Sequence, residues 1–367
     1  MPRVGPVAYR GGMAGVDGDG WIRCDLGHWH WGRFGAAGLL GYAHDEAGRT
    51  HVLLQRRSWW SSHGGTWGLF GGARQRGETA TAAALREAAE ESTLPGDMLR
   101  IRGTVRDDHG QWAYETLVGE LPQPLHVAPL SRETAAAAWV PSGAVGQLEL
   151  HPGLAVLWPM LYDALAPLVI IVDAANVMGA RADGWWRDRA GAAARLRDEL
   201  AVLATRGVRS LPAAMDAPPL DVWFPEIILV VEGAARSVAG QAPAGTVAHG
   251  RNDAIDARAG GAVRAHGAGV GDAARGGPDD DAARGRTDDA GVVHAGGPDS
   301  GGPARSAPIT GSLRVVAASG SGDDTIAELA ADTRGTRLVV TADRQLRRRS
   351  EAAGAAVAGP RWLLNQL

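Results

Sequence analysis

Cysteine is nearly absent from this sequence, which has one cysteine, Cys24, among 367 residues. A single cysteine excludes a framework of internal disulfides and is typical of the reducing cytoplasm. Long apolar runs are lacking too: none approaches the roughly twenty residues of a membrane-spanning helix, and the N-terminal stretch has no secretory signal pattern. The sequence therefore predicts a cytoplasmic protein that makes no membrane contact.

Neither sign of charge is in large excess, since 37 basic and 41 acidic residues give a net charge of -4. This balance excludes nucleic-acid binding through bulk charge, so any such contact needs a local basic patch. Hydrophobic residues make up 45% of the chain, enough for real cores, while 52 glycines indicate segments outside them. The length is typical of two domains.

The most specific pattern in the chain spans residues 72–94, with the sequence GARQRGETATAAALREAAEESTL. Residues 79–92 are nearly all good helix formers, and the helix should stop before Pro95. Three carboxylates then fall at positions i, i+3 and i+4 on one helix face. They are Glu87, Glu90 and Glu91.

Three like charges on one helix face repel each other, so they need a compensating positive charge. Hard divalent cations such as Mg²⁺ bind carboxylate oxygens, and Arg86 can hold one of the glutamates through its forked guanidinium. The alternative is a solvated glutamate-rich face. The glycine-rich run at 67–72 favours the metal site, because glycines let the backbone approach a metal or a phosphate closely.

Residues 72–94 resemble the signature of the Nudix hydrolases, and TrpGlyLeuPheGlyGly at 67–72 resembles the run that precedes it. The resemblance covers roughly 21–166 and implies an α/β/α sandwich with a mixed sheet. It implies hydrolysis of a nucleoside diphosphate linked to another group, by water attack on phosphorus, with Mg²⁺ or Mn²⁺. The metal ligands would be Glu87, Glu90 and Glu91 with the Gly72 carbonyl, Glu87 also being a candidate base. Glu78 and Arg86 would support them.

Two positions depart from the family pattern: Ala88 stands where a larger aliphatic is usual, and Thr93 where a glycine is usual. Neither change removes a ligand. The resemblance also asks for one more acidic residue after the helix, and the candidates are Asp107, Asp108 and Glu115. In the loop at 58–67, Trp59 and Trp60 are candidates for stacking on a base, with simple packing as the alternative.

The segment 21–34 contains Cys24, His28 and His30, which suggests zinc. A structural zinc site needs four ligands, however, and the chain has no second cysteine. The sequence therefore favours strand residues with packed imidazoles.

A second unit begins with the apolar run at 168–173, followed by similar runs at 227–232, 313–318 and 337–343. Strands that alternate with helices predict a parallel sheet, and ligands gather at the carboxyl ends of such strands. Acidic or amide residues stand at the end of each run or shortly after it, which indicates either a divalent-metal site or helix caps. They are Asp173 with Asn176, Glu232, Asp323 with Asp324, and Asp343.

This second unit resembles the NYN group of PIN-like nuclease domains in ValAspAlaAlaAsnVal, ValValGluGlyAlaAla, SerGlyAspAspThrIle and ThrAlaAspArgGlnLeu. Glu232 stands where an aspartate is common. The resemblance implies metal-dependent cleavage of RNA by Asp173, Asn176, Asp324 and Asp343.

Residues 237–306 consist mainly of Ala, Gly, Asp, Arg and Pro and contain no aromatic residue. Such a composition predicts a disordered insertion, because it buries too little apolar surface to offset the entropy of ordering. The predicted domains are a flexible N-terminus (1–20), the hydrolase domain (21–166) and a nuclease-like domain formed by 167–236 and 307–367.

Three functional hypotheses follow. The first is a metal-dependent pyrophosphohydrolase acting on a nucleotide. The second is a nuclease acting on RNA through the second unit, and the third is a nucleotide sensor without catalysis. The sequence leaves the nucleotide and the oligomeric state open.

Overall fold

The computed structural model describes residues 18–213, 215–241 and 310–367. The predicted flexible N-terminus and disordered insertion lie outside the described residues, except for 18–20 and 237–241. Of the latter, 237–240 belong to a 3-10 helix, Gly233–Gly240.

The first half of the described chain alternates short strands with two helices. In chain order the elements are β1 (Trp21–Arg23), β2 (Trp29–Trp31), β3 (Ala36–His44), β4 (Thr50–Arg57), β5 (Trp67–Gly68), β6 (Phe70–Ala73), α1 (Ala80–Glu91), β7 (Arg100–Asp108), β8 (Ala113–Leu121), β9 (Thr134–Pro141) and α2 (Pro152–Asp163).

The second half follows with β10 (Leu168–Asp173), α3 (Ala174–Gly179), α4 (Arg189–Arg206), β11 (Val222–Trp223), β12 (Glu226–Val231), β13 (Ser312–Ala317), α5 (Gly322–Asp332), β14 (Thr336–Val340), α6 (Arg344–Ala352), β15 (Ala356–Ala358) and α7 (Pro360–Leu364).

An eight-stranded mixed sheet forms the first half, as the sequence predicts. Its order is β11-β7-β8-β3-β4-β5, with β6 on β3 and β9 on β4; β3 and β8 are parallel. Alternate residues of a strand face opposite sides. Leu39 accordingly packs in one core with Ala83 of α1, whereas Leu40 packs in another with Leu161 of α2. The two helices therefore cover opposite faces of the sheet.

The second half contains the predicted parallel sheet, with five strands in the order β13-β12-β10-β14-β15. Every residue of β10 is buried, as expected for a strand with helices on both sides. Ile170 packs with Leu196 of α4 on one face, and Ile171 packs with Ile326 of α5 on the other. The chain passes from β10 to β12 on one side of β10, and from β14 to β15 on the opposite side of the sheet. The position between the neighbouring strands β10 and β14 is therefore a topological switch point.

Strand β11 departs from the predicted domain division, because it lies in the second unit by sequence but pairs with β7 of the first sheet. The Phe224 amide donates to the Arg102 carbonyl at 2.9 Å, and the Asp221 amide donates to the Thr104 carbonyl at 2.9 Å. An edge strand exposes unpaired backbone groups, and β11 covers those of β7. None of the helices in the described segments is long and apolar enough to cross a membrane.

Candidate active site

Helix α1 begins where the Thr79 hydroxyl accepts a hydrogen bond from the Ala82 amide at 3.2 Å. Four alanines face the sheet, and their small side chains let the helix lie close to it: Ala80, Ala83, Ala84 and Ala88. The helix ends at Ser92, whose hydroxyl donates to the Ala88 carbonyl at 2.7 Å. Thr93 accepts a bond from the Ala128 amide at 2.9 Å, so the residue that departs from the pattern has a structural partner.

Glu91 points into the domain and is 8% exposed. Its Oε2 accepts hydrogen bonds from the Gln55 side-chain amide at 3.0 Å and from the Gly71 backbone amide at 3.1 Å. Burial raises the pKa of Glu91 to about 7, and the negative charge of Glu87 acts in the same direction. A nearby cation would therefore stabilise the ionised form of this carboxylate.

Glu87 and Glu90 both accept hydrogen bonds from Arg86, at 2.7 and 3.2 Å. Burial raises the pKa of Glu87, while Arg86 opposes that shift. The side chain of Glu90 is 57% exposed, so this carboxylate faces solvent at the edge of the site. The three predicted carboxylates thus lie on one helix face, with Glu91 innermost and Glu90 outermost.

Arg86 holds this arrangement in place by linking the helix to the preceding loop. Its guanidinium donates to both carboxylate oxygens of Glu78, at 2.9 and 3.0 Å, and to the Ala73 carbonyl at 2.9 Å. The hydrogen bond from Arg86 lowers the pKa of Glu78, which also accepts from the Gln75 amide. Bidentate pairs of this kind fix orientation as well as charge.

Gly72 lies against the Glu87 carboxylate. A Cβ at this position would lie 2.6 Å from the carboxyl carbon of Glu87, so any side chain here would displace that carboxylate. The glycine therefore lets the backbone of β6 approach the carboxylate, as the resemblance requires for a carbonyl ligand.

The donors at this site fit a hard divalent cation. They are carboxylate and backbone carbonyl oxygens, which Mg²⁺ and Mn²⁺ prefer. The raised pKa of Glu87 and of Glu91 gives the same indication, because burial disfavours the ionised form of both carboxylates and a bound cation would favour it. Glu87, Glu90, Glu91 and the Gly72 carbonyl are the groups that would hold such an ion.

The three candidates for a further acidic ligand each have a partner elsewhere. Glu115 binds Arg74 and Arg106, both at 3.2 Å. Asp108 binds Arg106 at 3.0 Å, and Asp107 lies 3.2 Å from the His109 ring. The candidates are thus engaged outside the carboxylate cluster of α1.

Three residues near Glu91 carry no local sequence signal. Gln55 in β4 binds Glu91 directly, and its carbonyl oxygen accepts from the Thr134 hydroxyl. The charges of Arg57 and Glu133 shift the pKa of Glu91 in opposite directions, so both lie within electrostatic reach. Trp59, two residues after Arg57, is 86% exposed, and its predicted stacking on a base stays a prediction.

A second group of carboxylates lies at the carboxyl end of the parallel sheet. Asp173 is 5% exposed and accepts hydrogen bonds from the Asn176 side chain at 2.6 Å and from the Thr341 hydroxyl at 2.8 Å. The Asn176 side-chain oxygen accepts from the Ala342 amide at 3.2 Å. These contacts join β10 to the segment after β14, at the switch point where such sheets bind ligands.

The structure brings Asp323 to this group and directs Asp324 elsewhere. Burial raises the pKa of Asp323, and the negative charges of Asp173, Asp343 and Glu232 raise it further. Asp324 instead accepts from Arg349 of α6 at 2.8 Å. Asp343 is the N-cap of α6 and accepts from the Leu346 amide at 2.7 Å.

Comparison with known proteins defines the class. The family model described as NUDIX domain matches residues 36–161, and a relative covered over 76% of its length is 44% identical. The chain therefore belongs to the Nudix family and is a hydrolase acting on phosphoanhydride bonds.

That relative is a protein of Mycobacterium tuberculosis named "Putative 8-oxo-dGTP diphosphatase 3", which aligns over 167 residues, 44% of this chain. A "Nucleoside triphosphate pyrophosphatase/Nudix hydrolase fusion protein" of Bifidobacterium longum is 40% identical over 147 residues, 39% of this chain and 30% of that protein. A solved Nudix hydrolase from M. smegmatis is 44% identical, with 39% of this chain and 92% of that chain covered and a TM-score of 0.37. The family match does not extend to the parallel sheet, whose nuclease-like identity stays a prediction.

Proposed function

We propose that this protein is a metal-dependent pyrophosphohydrolase that cleaves a nucleoside diphosphate linked to another group, with 8-oxo-dGTP among its substrates. The observation that carries the proposal is the arrangement of Glu87, Glu90 and Glu91 on α1, tied by Arg86 to Glu78. The name of the mycobacterial relative supports 8-oxo-dGTP as the first nucleotide to test.

Each group of the site has a role in this reaction. Mg²⁺ or Mn²⁺ held by the three glutamates would offset the negative charge of the phosphates. Glu87 accepts a proton from the attacking water, since burial raises its pKa toward the range useful for a base. Arg86 orients Glu87, and the absent side chain of Gly72 leaves room beside it. Water adds to phosphorus and the bond to the bridging oxygen breaks, releasing a nucleoside monophosphate and the other phosphorylated half.

The test is product release by the purified full chain with Mg²⁺ or Mn²⁺. The panel contains 8-oxo-dGTP, dGTP, a sugar nucleotide and a dinucleoside polyphosphate. Glu90→Gln and Glu91→Gln should each lower kcat by about 10²-fold or more, because even supporting residues of metal sites cost about 10–100-fold. Glu46→Gln, an exposed glutamate of the β3–β4 turn, is the matched control and should keep full activity.

The outcomes separate the hypotheses. Cleavage of 8-oxo-dGTP that requires the divalent metal and is lost in both variants supports the proposal. Cleavage of another nucleotide but not of 8-oxo-dGTP would overturn the proposal that 8-oxo-dGTP is a substrate. Nucleotide binding without product release would favour the hypothesis of a nucleotide sensor.

A second candidate function is metal-dependent RNA cleavage at the edge of the parallel sheet. The favouring observation is that Asp323 lies close enough to Asp173, Asp343 and Glu232 for their negative charges to add to the effect of burial and raise its pKa. Asp173→Asn keeps a helix cap but removes a charge, so it should abolish cutting of a short RNA by the full chain. Exposed Asp332→Asn is its control. RNA left intact by the wild-type chain would end this candidate.

A further inference from the structure

A cluster of cysteine and histidine side chains lies outside the hydrolase site, where the β1–β2 hairpin meets the turn between β7 and β8. One ligand atom from each of four residues lies within 4.8 Å of the other three. Three of the residues come from the hairpin, and the fourth follows β7 in the chain: Cys24, His28, His30 and His109. Backbone bonds hold the two segments together, including the Asp25 amide to the His109 carbonyl at 3.1 Å.

The spacing within the cluster fits a tetrahedral zinc ion. Cys24 Sγ lies 3.7 Å from His109 Nδ1. A zinc ion with a sulfur ligand at about 2.3 Å and a nitrogen ligand at about 2.0 Å, at the tetrahedral angle, separates these two atoms by about 3.5 Å. The side chains thus stand almost at the separation that a shared zinc ion requires.

The orientation of His109 is a second, independent indication. Its Nδ1 faces Cys24, and its other ring nitrogen, Nε2, lies 3.2 Å from the Asp107 carboxylate. A histidine that binds a metal through one nitrogen usually donates its other N–H to a carboxylate or carbonyl, which fixes the ring. Asp107 therefore has a supporting role here, which explains its position away from the hydrolase carboxylates.

His30 supplies a third indication. Within the described residues, its Nε2 is buried without a hydrogen-bond partner. The ring is held flat against Trp112, with centroids 3.8 Å apart and planes 10° from parallel. A buried polar atom without a partner is costly, and a metal ion at the centre of the cluster would remove that cost.

We infer that Cys24, His28, His30 and His109 form a structural zinc site. One thiolate and three imidazoles suit zinc rather than magnesium, which prefers oxygen. Four protein ligands leave no open position for water or substrate, so the ion braces the fold and performs no chemistry. It connects a hairpin of two three-residue strands to the β7–β8 turn, and a hairpin that short needs such support.

This inference replaces the expectation of packed imidazoles drawn from the sequence. That expectation relied on the need for four ligands and on the lack of a second cysteine in the chain. The fourth ligand, His109, is 85 residues from Cys24 in the chain and becomes a neighbour only through the fold. The zinc site does not depend on the proposed function.

The experiment measures metal content and coordination in the full chain, purified without added zinc. We expect about one zinc per chain, with an X-ray absorption spectrum of one sulfur and three nitrogen neighbours. Cys24→Ser and His109→Gln should lose the zinc, whereas His126→Gln, at an exposed histidine, should keep it. Glu91→Gln should also keep it, which separates this site from the hydrolase carboxylates.

Two results would overturn the inference: zinc no higher in the wild type than in Cys24→Ser, or zinc lost from Glu91→Gln. If Cys24→Ser fails to fold, cobalt-loaded wild type decides instead. Tetrahedral cobalt with one thiolate ligand gives a sulfur-to-cobalt band in the near ultraviolet together with intense visible bands. A spectrum of cobalt bound only to oxygen would overturn the inference equally.

Discussion

Gly72 is the residue of β6 that lies against the Glu87 carboxylate. Gly72→Ala would place a methyl group 2.6 Å from the carboxyl carbon of Glu87, which must then move. Displacements of about 1 Å at a reacting centre cost about 10²-fold in rate, and we expect a fall in kcat of that size.

The matched control for this substitution is Gly96→Ala. Its new methyl group would meet no atom within 4 Å, so kcat should match that of the wild type. Steady-state hydrolysis by both variants, with melting temperatures to confirm folding, checks the prediction. Equal activity in Gly72→Ala and Gly96→Ala would show that hydrolysis does not depend on the exact position of the Glu87 carboxylate.

At the residue scale, the sequence predicted the groups that lie on one element and missed those that come from another. Glu87, Glu90 and Glu91 belong to one helix, so their spacing places them on a common face. Gln55, which binds Glu91, comes from β4, and no local pattern marks it. The site residues of α1 remain predictions until variants are measured.

The neighbouring pair Asp323 and Asp324 illustrates another limit. Adjacent residues on a helix point about 100° apart, so a difference of one residue in where the helix starts decides which of them faces the sheet. Helix starts cannot be read from sequence with that accuracy. The sequence favoured Asp324, and the structure turns it toward Arg349 instead.

At the scale of elements, the N-terminus of α2 is capped by a histidine whose pKa differs from its ordinary value. His151 is the N-cap, and its Nδ1 accepts from the Gly153 amide at 3.3 Å, which requires that nitrogen to be unprotonated. Burial lowers the pKa of His151 from 6.5 to about 4, and the charges of His63 and Arg57 contribute. The unfolded chain therefore binds a proton at a higher pH than the folded chain does.

The sign of the effect follows from this difference. The stability that His151 contributes is present above about pH 6.5 and is lost as the pH falls toward about 4. His151→Asn keeps a capping oxygen but does not titrate. We expect its free energy of unfolding to fall less than that of the wild type between pH 6.5 and 4.5.

Urea unfolding at several pH values measures this prediction, and the difference between variant and wild type cancels the other titrating groups. His126→Asn, at an exposed histidine, is the control and should follow the wild-type curve. Parallel curves for His151→Asn and the wild type would mean that His151 titrates alike in both states.

Most strands and helices were predictable because their hydrophobic pattern is continuous. The apolar run at 168–173 became β10 with the same bounds. Strand β11 has two residues, too few for any periodicity, and its pairing with β7 depends on the fold of the other half of the chain. The pairing of β1 with β2 and the approach of His109 were likewise invisible in sequence.

On the scale of the whole molecule, the segment before β12 connects the two sheets. Leu220 is 7% exposed and packs in the core beneath α2, close to Gly103 of β7, where a Cβ would lie 2.5 Å from the leucine side chain. Leu211 lies in the same segment but packs on the core of the parallel sheet. The segment between α4 and β12 thus packs against β7, the strand of the first sheet that β11 covers.

This connection predicts that Leu220→Ala loosens the first sheet, although Leu220 lies in the segment between α4 and β12 of the second half of the chain. The cavity should lower the free energy of unfolding by about 2–4 kcal/mol, and the amides of β7 should exchange hydrogen faster, because local opening becomes easier. Hydrogen exchange by mass spectrometry, read over peptides of β7 and β8, measures the effect. Leu211→Ala is the matched control: its cavity lies beside the parallel sheet, so exchange in β7 should stay at the wild-type rate. Unchanged exchange in β7 of Leu220→Ala would mean that the two sheets are energetically independent and that β11 covers the edge without supporting it.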